Sequence, residues 1–224
     1  MERARPDVVV FDVVGTLFGL GPLEDALVAA GAPAGLLEAW FERLLHSAAS
    51  LTLAGEYAPF AEIARSTLAT TGARFGVTVD AETVMGAFAQ LPLLPGAQAA
   101  VERLSTASVK VAALTNSGAA QARGLLERGG LLDRFEAVLS VEATGRYKPD
   151  PAPYQYALEQ LDVAVERAAF VAAHAWDVLG ADRVGLRALW VASHERTWPL
   201  PIRVGESAPD IEAAARLLLG PESA

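Results

Sequence analysis

From about Pro95 onward, the sequence alternates between short apolar segments and segments with helical spacing. The apolar segments have the composition of buried strands and include VKVAALTN, FEAVLSV, AAFVAAH and RALWVA. An earlier apolar run, VVVFDVV from Val8 to Val14, predicts one more strand that is buried on both faces. Because regular alternation of strands and helices is typical of a parallel sheet with helices on both faces, the sequence predicts an α/β fold.

The segment between Gly19 and Leu94 has a different pattern, in which four stretches with helical spacing follow one another. They are GPLEDALVAAGA, PAGLLEAWFERLLHSAASLTLA, YAPFAEIARSTLATTG and DAETVMGAFAQL. An insertion of about 75 residues is too long to be a loop. We therefore expect an all-helical cap domain at residues 19–94, placed over the carboxyl end of the sheet. Residues 1–18 and 95–224 would form a Rossmann-like core domain.

Composition excludes several classes of function. The 224 residues contain 18 Lys and Arg against 27 Asp and Glu, so the formal net charge is −9, and there is no Cys. Disulfides, thiolate metal sites and a cysteine nucleophile are excluded. Binding to nucleic acid through phosphate neutralisation is not expected. The apolar run at Val8 is short and contains Asp12, so we expect neither a targeting signal nor a membrane span, and we predict a cytoplasmic protein.

Polar residues follow several of the predicted strands. Asp12 interrupts the first apolar run, Thr115 and Asn116 end VKVAALTN, Lys148 lies in RYKPDPAPY, and Asp177 ends HAWD. Each has an ordinary explanation alone, as a turn residue, a solvated lysine or a helix-start carboxylate. Open α/β sheets, however, bind ligands at the carboxyl ends of their strands. Taken together, these residues predict one site at that edge.

The motifs FDVVGTL, ALTN, YKPDP and HAWD occur in this order, with the helical segment between the first motif and the second. The motifs and their order resemble those of the haloacid dehalogenase superfamily of aspartate-nucleophile hydrolases. The resemblance covers essentially the whole chain. It implies that Asp12 is the nucleophile and that Lys148 balances its charge. It also implies that Thr16 and Thr115 donate hydroxyl groups to the nucleophile or its bound anion, and that Asp177 is the acidic residue of the last motif.

Two departures separate the chain from the phosphatases of that superfamily. The second Asp that protonates their leaving alkoxide is Val14 here, and the carboxylate four residues before Asp177 is Ala173. A positioned acid typically contributes 10²–10⁴-fold to such a reaction, whereas a halide leaves without a proton. HAWDVLGA and KPDPAPY instead resemble the 2-haloacid dehalogenase branch. That branch implies a metal-free reaction in which Asp12 displaces halide from a small 2-haloalkanoic acid and water then hydrolyses the aspartyl ester.

The same resemblance implies further site residues. Asp177 would position or activate the hydrolytic water, and Tyr154 would reach the active site. The substrate carboxylate would lie on Thr115, Asn116 and nearby backbone N–H groups. No cofactor is expected.

Other positions depart from the dehalogenase pattern. Alignment through Trp40 places Phe41 where those enzymes carry a halide-binding Arg, and Ala172 replaces a Ser. His174 replaces an Asn, and it would donate to an anion if protonated or help to orient water if neutral. A histidine bonded to the backbone at a helix start is the other interpretation of His174. The apolar stripe containing Trp40 and Phe41 is either a packing face or a roof over the substrate.

Two alternative functions remain open from the sequence. One is a Mg-dependent phosphatase of the same superfamily, with Asp12 and Asp177 as the metal ligands. The other is an inactive or slow homologue that binds a small carboxylate or a protein partner. By resemblance alone, a homodimer is also expected.

Overall fold

The computed structural model describes residues 4–193 and 195–220, and its centre is a six-stranded parallel sheet. The strand order is β3-β2-β1-β4-β5-β6. The strands are β1 (Val8–Phe11), β2 (Lys110–Thr115), β3 (Ala137–Ser140), β4 (Ala168–Ala172), β5 (Arg187–Val191) and β6 (Glu206–Ala208). The predicted α/β fold with a parallel sheet is confirmed. The order reverses at β1, so the crevice of a doubly wound sheet lies at the end of this strand.

The helices fall into two groups along the chain. Between β1 and β2 lie α1 (Gly21–Ala29), α2 (Leu36–Ala54), α3 (Phe60–Arg74), α4 (Ala81–Phe88) and α5 (Ala97–Thr106). The others alternate with strands: α6 (Ala119–Arg128), α7 (Pro151–Gln160), α8 (Ala175–Val184) and α9 (Ile211–Leu219). The helices expected between Gly19 and Leu94 are present as α1 to α4, and their assignment to a separate cap domain stays a prediction. No helix in the described part of the chain is long and apolar enough to cross a membrane.

Strand β1 is fully buried because both of its faces are covered by apolar side chains. Val9 and Phe11 belong to the larger core cluster, which continues into α1 to α5, whereas Val8 and Val10 belong to the cluster under α7 and α8. The strand pairs in parallel with β2 and β4. A continuous apolar run is the pattern of a strand in this central position.

The first strand ends earlier than its apolar run suggests. We predicted a strand through Val14, but β1 ends at Phe11 and a tight turn follows. The N–H groups of Leu17 and Phe18 both donate to Val13 O, at 2.9 and 3.0 Å. Gly15 adopts φ +86°, and a Cβ there would lie 2.6 Å from His174 Cε1. The prediction was wrong because the glycine that closes this turn diverts the valines from the sheet.

Helices α7 and α8 approach closely at Gly180. A Cβ at this position would lie 2.6 Å from Tyr154 Oη, 2.7 Å from Pro149 Cβ and 2.9 Å from Pro149 O. The absence of a side chain therefore lets the loop that carries Lys148 pack directly onto α8.

We expect Gly180→Ala to lower the free energy of unfolding by about 1–3 kcal/mol, the usual effect of overpacking a dense core. Gly124→Ala in α6 is the matched control, because a Cβ there meets no atom within 4 Å. The control should raise the free energy of unfolding by about 0.5–1 kcal/mol through helix propensity. Urea unfolding of both variants measures the difference, and equal effects in both would contradict the packing account.

Candidate active site

The ammonium group of Lys148 lies between two carboxylates at the carboxyl end of the sheet. Its Nζ atom is 2.9 Å from Asp12 Oδ1 and 2.6 Å from Asp177 Oδ2, and it also donates to Leu114 O at 2.9 Å. The Lys148 side chain is completely buried. Three acceptors therefore match the three N–H donors of the ammonium. Asp12 directly follows β1, and Asp177 lies in the first turn of α8.

This arrangement controls the charge on Asp12. Burial raises the pKa of Asp12, whereas the charge of Lys148 and hydrogen bonds from His174 and Thr16 lower it. The lowering effects together are larger, so the pKa of Asp12 lies below its ordinary value. Burial lowers the pKa of Lys148, yet the two carboxylates raise it above its ordinary value. Asp12 is therefore ionised, and Lys148 protonated, across the neutral range.

The second oxygen of Asp12 has its own hydrogen-bond partners. Thr16 Oγ1 donates to Asp12 Oδ2 at 2.7 Å and accepts from the backbone N–H of Ala173 at 3.0 Å. His174 Nδ1 is 3.3 Å from the same oxygen. A carboxylate oxygen only accepts, so this ring nitrogen must carry the proton, which leaves Nε2 free for another partner.

His174 lies beside Asp12 in the candidate site. It precedes α8 but makes no side-chain capping bond. Its ring stacks on Trp176 at 5.3 Å and is tilted against Phe41 at 6.2 Å. The interpretation of this histidine as a helix-start residue bonded to the backbone was wrong, since its ring points to Asp12 instead.

Asp177 and Tyr154 lie behind Lys148 and do not line the site cavity. Tyr154 Oη donates to Asp177 Oδ1 at 2.5 Å, and both side chains are almost fully buried. Burial and the charge of Asp12 raise the pKa of Asp177 and Lys148 lowers it, with a net pKa above the ordinary value. Burial and the charge of Asp177 raise the pKa of Tyr154 well above its ordinary value. Asp177 is bound by Lys148 and Tyr154, and the Tyr154 hydroxyl is bound to Asp177. The contacts of Asp177 with water and of Tyr154 with substrate stay predictions.

A small cavity opens beside Asp12. Its volume is about 20 Å³, which is room for about one water molecule. Its polar lining is Asp12, Thr115, Asn116, Ser117 and His174, and its apolar lining is Val14, Phe41, Leu45, Phe60 and Trp176. The cavity brings together five of the predicted site residues, and Thr16 lies directly beneath it on Asp12.

Hydrogen-bond donors after β2 face this cavity. Asn116 Oδ1 accepts from the backbone N–H of Lys148 at 3.1 Å, which fixes the side chain and leaves its NH₂ group as the donor. Thr115 Oγ1 accepts from the N–H of Ser117 at 3.0 Å and lies 2.8 Å from Ser117 Oγ. These neutral donors suit a small anion. Ser117 was missed from the sequence, although it directly follows the predicted Thr-Asn pair.

Trp40 is not a substrate-binding residue in this structure. Its side chain is fully buried, and Nε1 donates to Ala64 O at 3.0 Å and Thr67 Oγ1 at 3.1 Å. Neighbouring positions on a helix are rotated by about 100°, so Trp40 packs against α3 while Phe41 lines the cavity. The prediction for Trp40 was therefore wrong, and the position of Phe41 at the site is as expected.

Leu45 belongs to the same apolar stripe as Trp40 and Phe41, and it follows Phe41 by four positions on one face of α2. Two other apolar lining residues, Trp176 and Phe60, were missed. Trp176 lies inside the quoted HAWD motif. Phe60 begins α3, and no pattern in the sequence connects it to Asp12.

The loop before Lys148 is attached to the helical segment. Thr52 Oγ1 accepts from the N–H of Tyr147 at 2.9 Å, and Arg146 Nη1 donates to Thr52 O at 2.8 Å. Tyr147 Oη donates to Ala58 O at 2.7 Å. Helix α2 and the segment after it therefore help to hold the loop that supplies the ammonium.

The residues present do not fit the Mg site of the phosphatase alternative. Its two expected ligands, Asp12 and Asp177, share the Lys148 ammonium, so a divalent cation between them would meet a buried positive charge. Among residues 4–193 and 195–220, no group of three or more His, Asp or Glu side chains is arranged to hold a metal ion. Oxygen-rich ligand sets are what Mg²⁺ requires.

We expect Lys148→Met to lower the free energy of unfolding by about 3–5 kcal/mol, because the substitution leaves two buried carboxylates without their cation. The only other lysine, Lys110, provides a matched control, since its side chain is 54% exposed and pairs with Glu136 at the surface. Lys110→Met should change the free energy of unfolding by less than about 1 kcal/mol. Similar effects of the two substitutions in chemical denaturation would contradict this description of the site.

A family model described as haloacid dehalogenase-like hydrolase matches residues 6–185 of the chain. The (S)-2-haloacid dehalogenase of Xanthobacter autotrophicus is 34% identical in an alignment of 188 residues, with 82% of this chain and 74% of that protein covered. The (S)-2-haloacid dehalogenase 1 of Pseudomonas sp. (strain CBS-3) is 31% identical over 181 residues, with 79% of this chain and 80% of that protein covered.

A solved structure of a 2-haloacid dehalogenase also resembles this chain. The L-2-haloacid dehalogenase from Xanthobacter autotrophicus with chloropropionic acid covalently bound superposes with a TM-score of 0.86 at 27% identity, covering 96% of this chain and 99% of that one. The resemblance indicated by the sequence motifs is confirmed, as is the prediction of a hydrolase. The family model spans most of the sequence and the relatives align over four-fifths of it, so the chain belongs to the haloacid dehalogenase-like hydrolase family.

Proposed function

We propose that this protein hydrolytically removes halide from small 2-haloalkanoic acids through an aspartyl ester on Asp12. The observation that carries the proposal is an ionised carboxylate, held by Lys148, that faces a cavity lined by neutral hydrogen-bond donors. The covalently bound chloropropionic acid in the structure of the Xanthobacter relative supports a covalent route. We also propose that residues 19–94 form a cap domain. Phe41, Leu45 and Phe60 of this segment line the cavity beside Asp12.

In the first step, Asp12 attacks the carbon that carries the halogen. We propose that Oδ2 is the attacking oxygen. It lies next to His174, which lines the cavity, whereas Oδ1 is bound by Lys148, which does not line this cavity. A carbon–oxygen bond forms and the carbon–halogen bond breaks, so that halide leaves with the electron pair. The amide of Asn116 and the hydroxyl of Ser117 bind the substrate carboxylate.

The leaving halide requires a donor in the absence of the arginine used by the family. Among the described residues, the cavity lining contains no lysine or arginine, and His174 is its one imidazole. We assign the halide contact to the Nε2–H of protonated His174. After esterification has removed the negative charge of Asp12, halide departs as the free anion, the ring releases this proton to solvent, and the neutral ring can accept another.

In the second step, water attacks the carbonyl carbon of the Asp12 ester. One proton of the water passes to His174 Nε2, and Lys148 stabilises the negative charge that develops on Oδ1. The bond to the alkoxyl oxygen then breaks, and that oxygen takes the remaining water proton. The products are a 2-hydroxy acid and the regenerated carboxylate. Asp177 and Tyr154 position Lys148 in both steps.

The hydrolysis of chloro-, bromo- and fluoroacetate and 2-chloropropionate tests the proposed function. We expect halide release that EDTA does not change and that Asp12→Asn lowers more than about 10³-fold, the order lost when a nucleophile is removed. p-Nitrophenyl phosphate with Mg²⁺ serves as the comparison substrate. Phosphate release that depends on Mg²⁺, without halide release from any haloacid, would overturn the proposal. No turnover of the whole panel would favour the inactive homologue.

A separate pair of variants tests the halide contact. His174→Ala should slow halide release by about 10–100-fold, because one charge-assisted hydrogen bond contributes roughly 1.5–3 kcal/mol. Phe41→Arg in the His174→Ala background should restore part of that rate, since it returns a cation to the cavity. Phe41→Gln in the same background is the uncharged control. Equal rates with Arg and Gln at this position would contradict a role for positive charge.

The predicted cytoplasmic location and homodimer stay predictions. The cofactor-free reaction is part of the proposed function, and the comparison of EDTA with Mg²⁺ tests it.

A further inference from the structure

The ring of His174 places a second nitrogen at the cavity beside Asp12. Nδ1 lies 3.3 Å from Asp12 Oδ2, which leaves Nε2 as the nitrogen available to a substrate. A Cβ at Gly15 would lie 3.0 Å from Nε2, so the absence of a side chain there leaves this nitrogen uncovered on that side. A protonated ring therefore presents one N–H group next to the carboxylate oxygen that attacks.

An imidazolium can do chemistry that a guanidinium cannot. Both groups bind an anion through N–H, but an arginine keeps its protons in proteins, whereas a histidine ordinarily gains and loses one between pH 5 and 8. Of the side chains that line the small cavity in the described part of the chain, His174 is the only one able to release a proton in this range. The site therefore holds an acid beside its nucleophile, although a halide leaves without a proton.

A leaving oxygen is the group that requires such an acid, because an alkoxide is a strong base and needs a proton as its bond to carbon breaks. In a 2,3-epoxy acid, an oxygen occupies the position of the halogen on the carbon next to the carboxylate, and ring strain weakens its bond. 2,3-Epoxypropanoate has as many non-hydrogen atoms as 2-chloropropionate, and oxygen is smaller than chlorine. The same donors, Asn116 and Ser117, would therefore suit its carboxylate.

We propose that this protein also hydrolyses small 2,3-epoxy carboxylates, with His174 as the acid that protonates the epoxide oxygen. This inference rests on the proposed function, because it uses the same aspartyl ester. Asp12 Oδ2 forms a bond to C2 and the bond from C2 to the epoxide oxygen breaks. That oxygen stays attached to C3 and takes the proton of His174 Nε2, so the first step leaves a neutral ring and a hydroxyl group.

Hydrolysis of this ester completes the reaction. Water attacks the carbonyl carbon of the Asp12 ester, one of its protons returns to His174 Nε2, and the departing alkoxyl oxygen takes the other. The products are a 2,3-dihydroxy acid, the Asp12 carboxylate and the protonated ring. The proton that His174 donates in the first step is thus replaced in the second, whereas halide hydrolysis releases one proton to solvent in each turnover.

Turnover of 2,3-epoxypropanoate and 2-chloropropionate by the same preparations tests this role of His174. The wild-type protein should form 2,3-dihydroxypropanoate, and Asp12→Asn should lower that rate more than about 10³-fold. His174→Arg keeps a cation and N–H donors but has no proton to release. It should lower the ratio of epoxide to chloride turnover at least about tenfold, since a positioned acid contributes roughly 10²–10⁴-fold. His174→Gln, which is closer to histidine in size, should lower the ratio in the same direction. A loss of folded protein lowers both rates and cancels in the ratio.

The outcomes separate this inference from the proposed function. No diol from a protein that releases chloride would overturn the epoxide reaction and leave the proposed function standing. Diol formation without chloride release would keep the epoxide reaction and overturn the halide reaction, and turnover of neither substrate would overturn both. A ratio that both His174 variants leave unchanged would also overturn the proposal. In a single turnover in H₂¹⁸O, label in Asp12 and none in the diol is expected, and label in the diol alone would contradict the ester.

Discussion

A buried lysine ammonium between two carboxylates is the interaction on which the site depends. Removing such charges from water costs several kcal/mol per ion, and that cost is offset only when each charge has close partners. The fold supplies these partners from distant parts of the chain: Asp12 after β1, the loop of Lys148 after β3, and Asp177 at the start of α8. Thr16 and Tyr154 bind the carboxylate oxygens that face away from the ammonium.

The same interaction explains the division of work between the two aspartates. Asp12 borders the cavity and has a lowered pKa, so it is the anion available to a substrate. Asp177 lies behind the ammonium with a raised pKa, and its contacts are to Lys148 and Tyr154. Asp12 and Asp177 therefore differ in pKa and in what they can contact, because their burial and their neighbouring groups differ.

The sequence predicted those parts of the structure that local patterns determine. Apolar runs and helical spacing indicated β1 to β5 and α1 to α8, and the end of β1 identified Asp12 because a carboxylate in an apolar strand needs a partner. The pattern extended β1 too far, since the strand ends in a turn in which Gly15 adopts φ +86°. The sequence patterns predict neither β6 nor α9. Strand β6 has only three residues, which is too short for a recognisable apolar pattern. Helix α9 begins after Asp210, whose side chain accepts from the N–H of Ala213.

Side-chain contacts across the cavity were less accessible to sequence reasoning. Adjacent residues Trp40 and Phe41 share a stripe in the sequence, yet the rotation of α2 places one in the core and the other beside His174. Phe60 reaches the cavity only through the packing of α3 on α2. The positions of Asp177 and Tyr154 behind Lys148 also required three-dimensional information, because sequence spacing does not tell whether a carboxylate faces the cavity or the lysine.

The most direct test of the central claim is a single turnover of 2-chloropropionate in H₂¹⁸O with enzyme in excess, followed by mass spectrometry of the peptide that contains Asp12 and of the 2-hydroxypropionate. An aspartyl ester hydrolysed at its carbonyl carbon predicts one ¹⁸O in the Asp12 carboxylate and none in the product. Label in the product and none in Asp12 would show that water attacks the substrate carbon directly, and it would contradict the nucleophilic role of Asp12.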